Sequence, residues 1–382
     1  MVETRLEKDD MNRTAVSCVA ALVLMLAAFC AVPSNGQGNP PRYEVDPSWP
    51  RPLPDKWVTG AVTGVCADAQ DHMFIVNQGN LTENELDAGH QAPAVIEFDP
   101  EGDVVNSWGD REILPQGLHG CFIDYENTVW LSGIKDGVIQ KYTHDGKKLL
   151  LQIGTKGIAD SSDGTINGMA LNSSHTGFYK PSSVAVDPSN GDIYVADGEE
   201  PGSNHRVAVF NGNGKFQRQW VLQLKKAEAG EGNSFVQVPH CVVIANDGLI
   251  YVCDRRGDQI QVFDKMGNFK KNILIPYEKR SQYEAGPGHV GRAWGTAEWV
   301  GFSGDRTQEF MFVLNEDNEQ VDIVDHASGK ILSSFGRAGH QIGEFTFAHT
   351  LAVDSKGNVY VGEAGGDEAG NRVQKFKVAG NK

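Results

Sequence analysis

The sequence has no surplus of basic charge and, beyond its N-terminal segment, no long apolar run. Lysine and arginine number 34 against 50 aspartates and glutamates, a net charge of −16. A polyanion-binding surface needs basic side chains to displace counterions, so no nucleic-acid partner is expected and the acidic balance serves solubility. A membrane helix takes about twenty apolar residues, and no internal segment supplies them. Cysteine is sparse, with six in 382 residues, which excludes a small disulfide-dense scaffold. Glycine, by contrast, is plentiful at 44, as a chain of many tight turns requires.

The single apolar run, Ala15 to Val32, follows Arg13 and stops at Pro33, Ser34, Asn35 and Gly36. This is the layout of a secretory signal peptide, with Met11 as an alternative start. It predicts a signal segment over 1–36 and a secreted or periplasmic chain over 37–382; an uncleaved anchor is the competing reading. Cys18 and Cys30 leave with that segment, and Cys66, Cys121, Cys241 and Cys253 remain. An oxidising compartment allows these to pair, and Cys241 and Cys253 flank the turn Asn246-Asp247-Gly248 as hairpin partners would. Bridges are thus allowed but not required, and buried free thiols are the commoner fate of cysteines in apolar strands.

Internal repetition is the dominant signal. One unit runs from Pro181 to Trp220: PSSVAVDPSNGDIYVADG, then HRVAVFNGNGKFQRQW. It reads as an apolar strand, a glycine turn, a second Ile/Val/Tyr strand, a loop, a third strand, another turn and a more polar fourth strand. Further copies begin at Val62, Gly117, Pro239, Ala297 and Phe347, six in all. Four short strands repeated radially are the β-propeller solution to exposed sheet edges. The fold class expected is therefore all-β, a six-bladed propeller filling the mature chain as one domain. The last copy ends after its third strand at Val378, so Tyr43-Glu-Val-Asp is expected to close the ring as its fourth. Insertions at 81–93 and 223–233 fall in connecting loops.

Aligning the copies on the end of the first strand places His119, His240 and His349 at one position in the second, fourth and sixth copies. The first, third and fifth carry Thr63, Ser182 and Glu298 there. Alternate blades of a six-bladed ring sit about 120° apart with their inner strands on the axis, so three imidazoles converge there. That is the shell of a tetrahedral zinc with one open position; iron, copper and manganese also suit imidazole.

The run SFGRAGHQIGEF, with DSKGNVYV and NRVQKF, resembles the NHL repeat class. The motifs LHG at Leu118, VPHC at Val238 and FAHT at Phe347 resemble those of the peptidyl-α-hydroxyglycine α-amidating lyases. This resemblance implies a zinc held by His119, His240 and His349, and carbon–nitrogen bond cleavage of an α-hydroxyglycine peptide. It implies Arg255 as a substrate-side arginine. The family's other arginine falls at Gln78, its catalytic tyrosine at Glu199, a methionine at Phe347 and a calcium-binding aspartate at Thr350. Gln78 lacks the charge to neutralise an anion, and Glu199 serves as a base only if burial raises its pKa. Calcium is accordingly doubted.

Two functional readings follow. One is a zinc-dependent lyase-like enzyme with Glu199, Arg255 and Gln78 as its catalytic set. The other is an inactive propeller with a structural metal, binding a peptide, glycan or small molecule at the metal face. A monomer is expected, with no membrane contact beyond the signal segment.

Overall fold

Apolar β-branched runs separated by Asp/Asn-Gly turns form hairpins whose two faces are both buried, and six such units need each other's faces for cover. The computed structural model describes residues 39–158, 170–200, 202–223, 237–278, 294–365 and 370–380. The predicted signal segment lies outside them. Six four-stranded antiparallel sheets are present, five of them with their strands in chain order from the inner edge outward. Blade 1 comprises Val62–Ala67, Met73–Asn77, Val95–Phe98 and Val104–Trp108. The inner strands of blades 2 to 6 are Leu118–Ile123, Pro181–Val186, Pro239–Ile244, Trp299–Phe302 and Ala348–Val353. The sixth blade takes its outer strand from Tyr43–Val45, with Tyr43 opposite Val378, so the ring closes as the sequence predicts. No helix among the described residues is long and apolar enough to cross a membrane.

Second and third strands are buried along most of their length, whereas outer strands such as Val104–Trp108 and Phe269–Leu274 are half exposed. Blades are joined by an aromatic relay. Trp108 of blade 1 packs on Tyr142 of blade 2 with ring centres 5.1 Å apart, Trp220 of blade 3 on Phe263 of blade 4 at 5.5 Å, and Phe335 of blade 5 on Phe376 of blade 6 at 5.0 Å. These strand-end aromatics pack against the core between blades. Gly146 shows how tight the fit is: its φ is +71°, and an added Cβ would fall 2.0 Å from the Trp108 ring. At the outer side of the same two blades, His144 of blade 2 reaches Asp68 of blade 1 at 3.1 Å, and His72 Nδ1 meets Glu97 at 2.6 Å. These groups satisfy one another and act as an inter-blade tie.

All four described cysteines are paired, where free thiols are the commoner outcome in apolar strands. Cys241 and Cys253 sit opposite each other in adjacent strands, Cα atoms 4.9 Å apart, as the hairpin spacing allows. Cys66 and Cys121 join the inner strands of blades 1 and 2, with Cα atoms 5.6 Å apart. That pairing depends on blade packing and has no signature in local spacing. It spans 55 residues against 12 for the hairpin bridge. Loop-closure entropy then predicts that Cys66→Ser costs about 4 kcal/mol and Cys253→Ser about 3 kcal/mol. Thermal unfolding of each variant checks this order; midpoints equal to the wild type would show that neither bridge constrains the unfolded chain.

The insertion at 81–93 is more ordered than a simple loop. It holds a short helix, Glu83–Ala88, with Thr82 and Glu85 forming a reciprocal capping box, then a strand His90–Gln91 paired with Trp57–Val58. Of the insertion at 223–233, only Gln223 lies within the described residues.

Candidate metal centre

Each predicted histidine is the second residue of an inner strand. Because strand register repeats from blade to blade, the three side chains point at the axis from every other blade. Their ring centres form a nearly equilateral triangle of 4.8, 4.6 and 4.9 Å. All three are buried, His240 completely.

The second nitrogen of each ring explains the orientation. His119 Nδ1 lies 3.0 Å from the carbonyl oxygen of Ser182, and His240 Nδ1 lies 2.7 Å from that of Glu298. His349 faces the backbone of Thr63 in a looser version of the same contact. Thr63, Ser182 and Glu298 are the residues that the repeat alignment places at the histidine position in the intervening blades. A carbonyl can only accept, so Nδ1 of His119 and of His240 carries the proton and Nε2 keeps its lone pair. Burial, helped by the neighbouring Arg255 charge, holds His240 and His349 well below the usual histidine range, in the neutral form a metal requires. Nε2 of both His119 and His240 is buried and makes no hydrogen bond. Leaving such atoms unmatched is costly, and an axial divalent metal resolves it. The residues present fit a transition metal.

Glu199 of blade 3 completes the cluster: His119, Glu199, His240 and His349 each offer one ligand atom within 4.8 Å of the others. Its carboxylate lies 3.6 Å from His119 Nε2 and 3.4 Å from His240 Nε2. Gly198 makes this reach possible. Its φ is +148°, and a Cβ there would fall 1.6 Å from the Asn204 carbonyl oxygen, so no other residue fits. The Glu199 amide then donates to the Lys180 carbonyl at 3.0 Å.

Arg255 of blade 4 bridges its two neighbours. It approaches the Glu199 carboxylate at 3.0 Å, the Glu199 carbonyl at 3.1 Å and Glu298 at 3.4 Å. Its guanidinium also lies 5.7 Å from the centre of the Trp294 ring. Burial would raise the Glu199 carboxyl, but Arg255 and then His119 outweigh it and hold it below its ordinary value. Arg255 thus opposes the rise that a base role for Glu199 would need. A carboxylate so stabilised is a poor proton acceptor near neutrality.

The sequence reading did not assign roles to Glu298 and Glu316. Glu298 Oε1 lies 3.2 Å from His240 Nε2 and 3.9 Å from His349 Nε2. Burial and the charge of Glu199 push Glu298 up against the pull of Arg255, while burial and Glu298 raise Glu316 well above its usual range. The signal for Glu298 was available, since a carboxylate at the histidine position of the alignment stands on the axis. Glu316 follows the second strand of blade 5 as Arg255 follows that of blade 4.

Gln78 lies outside this ion-pair network. Its side-chain amide donates to the Leu118 carbonyl at 3.0 Å, so it steadies the chain entering His119. Phe347 stacks toward His349 with ring centres 6.3 Å apart and meets Trp294 at 5.3 Å, forming an aromatic rim. Thr350 is fully buried with an unpartnered hydroxyl, a single neutral oxygen where a hard cation would need several.

Fold and centre together define a six-bladed β-propeller with a buried histidine–carboxylate cluster on its axis. The sequence profile of the NHL repeat matches residues 178–210 and 236–263, in blades 3 and 4. The chain is related to peptidyl-glycine alpha-amidating monooxygenase B of Xenopus laevis, 28% identical over 351 residues that cover 87% of this chain and 35% of that protein. It is also related to NHL repeat-containing protein 3 of Mus musculus, 25% identical over 341 residues, 88% of this chain and 84% of the relative. The chain thus spans about a third of the length of the amidating monooxygenases it matches. The solved structure of a streptogramin B lyase shares the fold, with a TM-score of 0.53, 12% identity, and coverage of 88% of this chain and 98% of that one.

Proposed function

We propose that this chain is a secreted metal-binding propeller that holds one divalent transition metal, zinc foremost, through His119, His240 and His349. Its metal face binds a small-molecule or peptide ligand and does not amidate peptides. One observation carries the reading: buried imidazoles converge from alternate blades, and His119 and His240 keep an unbonded Nε2 while backbone carbonyls hold their Nδ1 atoms. A bound zinc supplies Lewis-acid polarisation of an oxygen ligand and a rigid junction between blades. Gln78 and Glu199 stand where the amidating lyases have arginine and tyrosine, so the charge and the phenol of that chemistry are both missing. Arg255 is the guanidinium left at the centre, and Glu199 and Glu298 already engage it. The two disulfides support an oxidising destination.

The test is glyoxylate release from an α-hydroxyglycine peptide by the zinc-loaded chain. The expected rate equals that of the His240→Ala variant. Release that depends on both zinc and His240 would make the chain an amidating lyase despite its altered residues.

A further inference from the structure

A zinc ion with bonds of about 2.0–2.1 Å places its tetrahedral ligands about 3.3–3.4 Å apart. Glu199 Oε2 stands 3.4 Å from His240 Nε2, close to such an edge before any ion draws it in, and Oε1 stands 3.6 Å from His119 Nε2. The carboxylate is buried, and its Oε2 makes no hydrogen bond. Arg255 holds the other oxygen from behind, in the orientation an outer partner gives a ligating carboxylate. Three elements fix Glu199 there independently: the Gly198 turn, the Lys180 carbonyl and the Arg255 fork.

From this geometry we infer that Glu199 is the fourth protein ligand of the axial metal, so the shell is three histidines and one carboxylate, closed at rest. This rests on the proposed metal site and deepens it. In a catalytic zinc site the fourth position stays open to substrate. Here the chain fills it from blade 3, and the metal ties blades 2, 3, 4 and 6 together. An incoming anion must displace a carboxylate that Arg255 holds in place. Glu298 is the rival ligand, but it flanks only His240 and His349 and lies outside the four-residue cluster.

Cobalt(II) in place of zinc tests the assignment without reference to activity. The chain is loaded with cobalt and its visible absorption followed as azide is added, beside Glu199→Ala, Glu199→Gln and Glu298→Gln, each checked for folding by circular dichroism. The expected result is azide-insensitive bands in the wild type and in Glu298→Gln. In the Glu199 variants either the bands shift with azide or cobalt is lost from a folded chain. Wild-type bands that move with azide, or Glu199 variants whose spectra match the wild type, would overturn the assignment, as would azide sensitivity arising only in Glu298→Gln. No cobalt bands in the folded wild type would instead defeat the metal site on which the assignment rests.

Discussion

Elemental analysis of the chain purified from Gln37 onward is expected to return about one transition-metal ion per molecule, and His240→Ala less than a tenth of that. The effect is large because the site has little to hold it together otherwise. Without an ion, two buried Nε2 atoms face no donor, and the Glu199 and Glu298 carboxylates crowd the same space. An ion bound only to the folded state adds stability by mass action, about 4 kcal/mol at a thousandfold excess over its dissociation constant. Chelation should therefore lower the unfolding midpoint of the wild type markedly and leave that of His240→Ala unchanged. A metal-free wild type whose stability does not respond to zinc or chelator would mean that the three histidines serve blade packing alone.

Arg255→Met is expected to destabilise the fold by about 3–5 kcal/mol, the range for removing one partner of a buried ion pair. The guanidinium is 3% exposed and contacts carboxylates from the blades on either side. Its loss leaves Glu199, Glu298 and Glu316 buried together, and moving a carboxylate out of water unpaired costs several kcal/mol. Arg255→Lys keeps the charge but not the fork that spans both glutamates, so its loss should be intermediate. Denaturant melts of the two variants read the difference. An Arg255→Met chain within about half a kcal/mol of the wild type would show that protons or the metal already neutralise these carboxylates. Arg255 joins blade 4 to the blades on either side and supplies a cation among these carboxylates.

Much of the architecture was legible because it is periodic. The turn residues and the two-residue alternation recur six times, and the short sixth copy pointed to Tyr43–Val45 as the closing strand. The histidine positions followed from the same register: in a propeller, equivalence along the chain means equivalence around the axis. Contacts between segments that only ring closure brings together were not legible. Cys66 and Cys121 meet across two blades without a shared turn. Glu316 reaches the centre from a strand exit that no histidine marks. Gln78 aligned with a catalytic position yet bonds the Leu118 backbone, because alignment fixes a Cα and not the partners of a side chain.

The sequence by itself determined the propeller, its six blades and the three imidazoles on its axis, since each is a local pattern whose meaning the repeat multiplies. Only the tertiary structure decided what surrounds those imidazoles. Gly198 turns Glu199 into the cluster, Arg255 holds it there, and burial pushes the Glu298 and Glu316 carboxyls up. Charge state and coordination depend on solvent exclusion and on neighbours from other blades, and those exist only once the ring is closed.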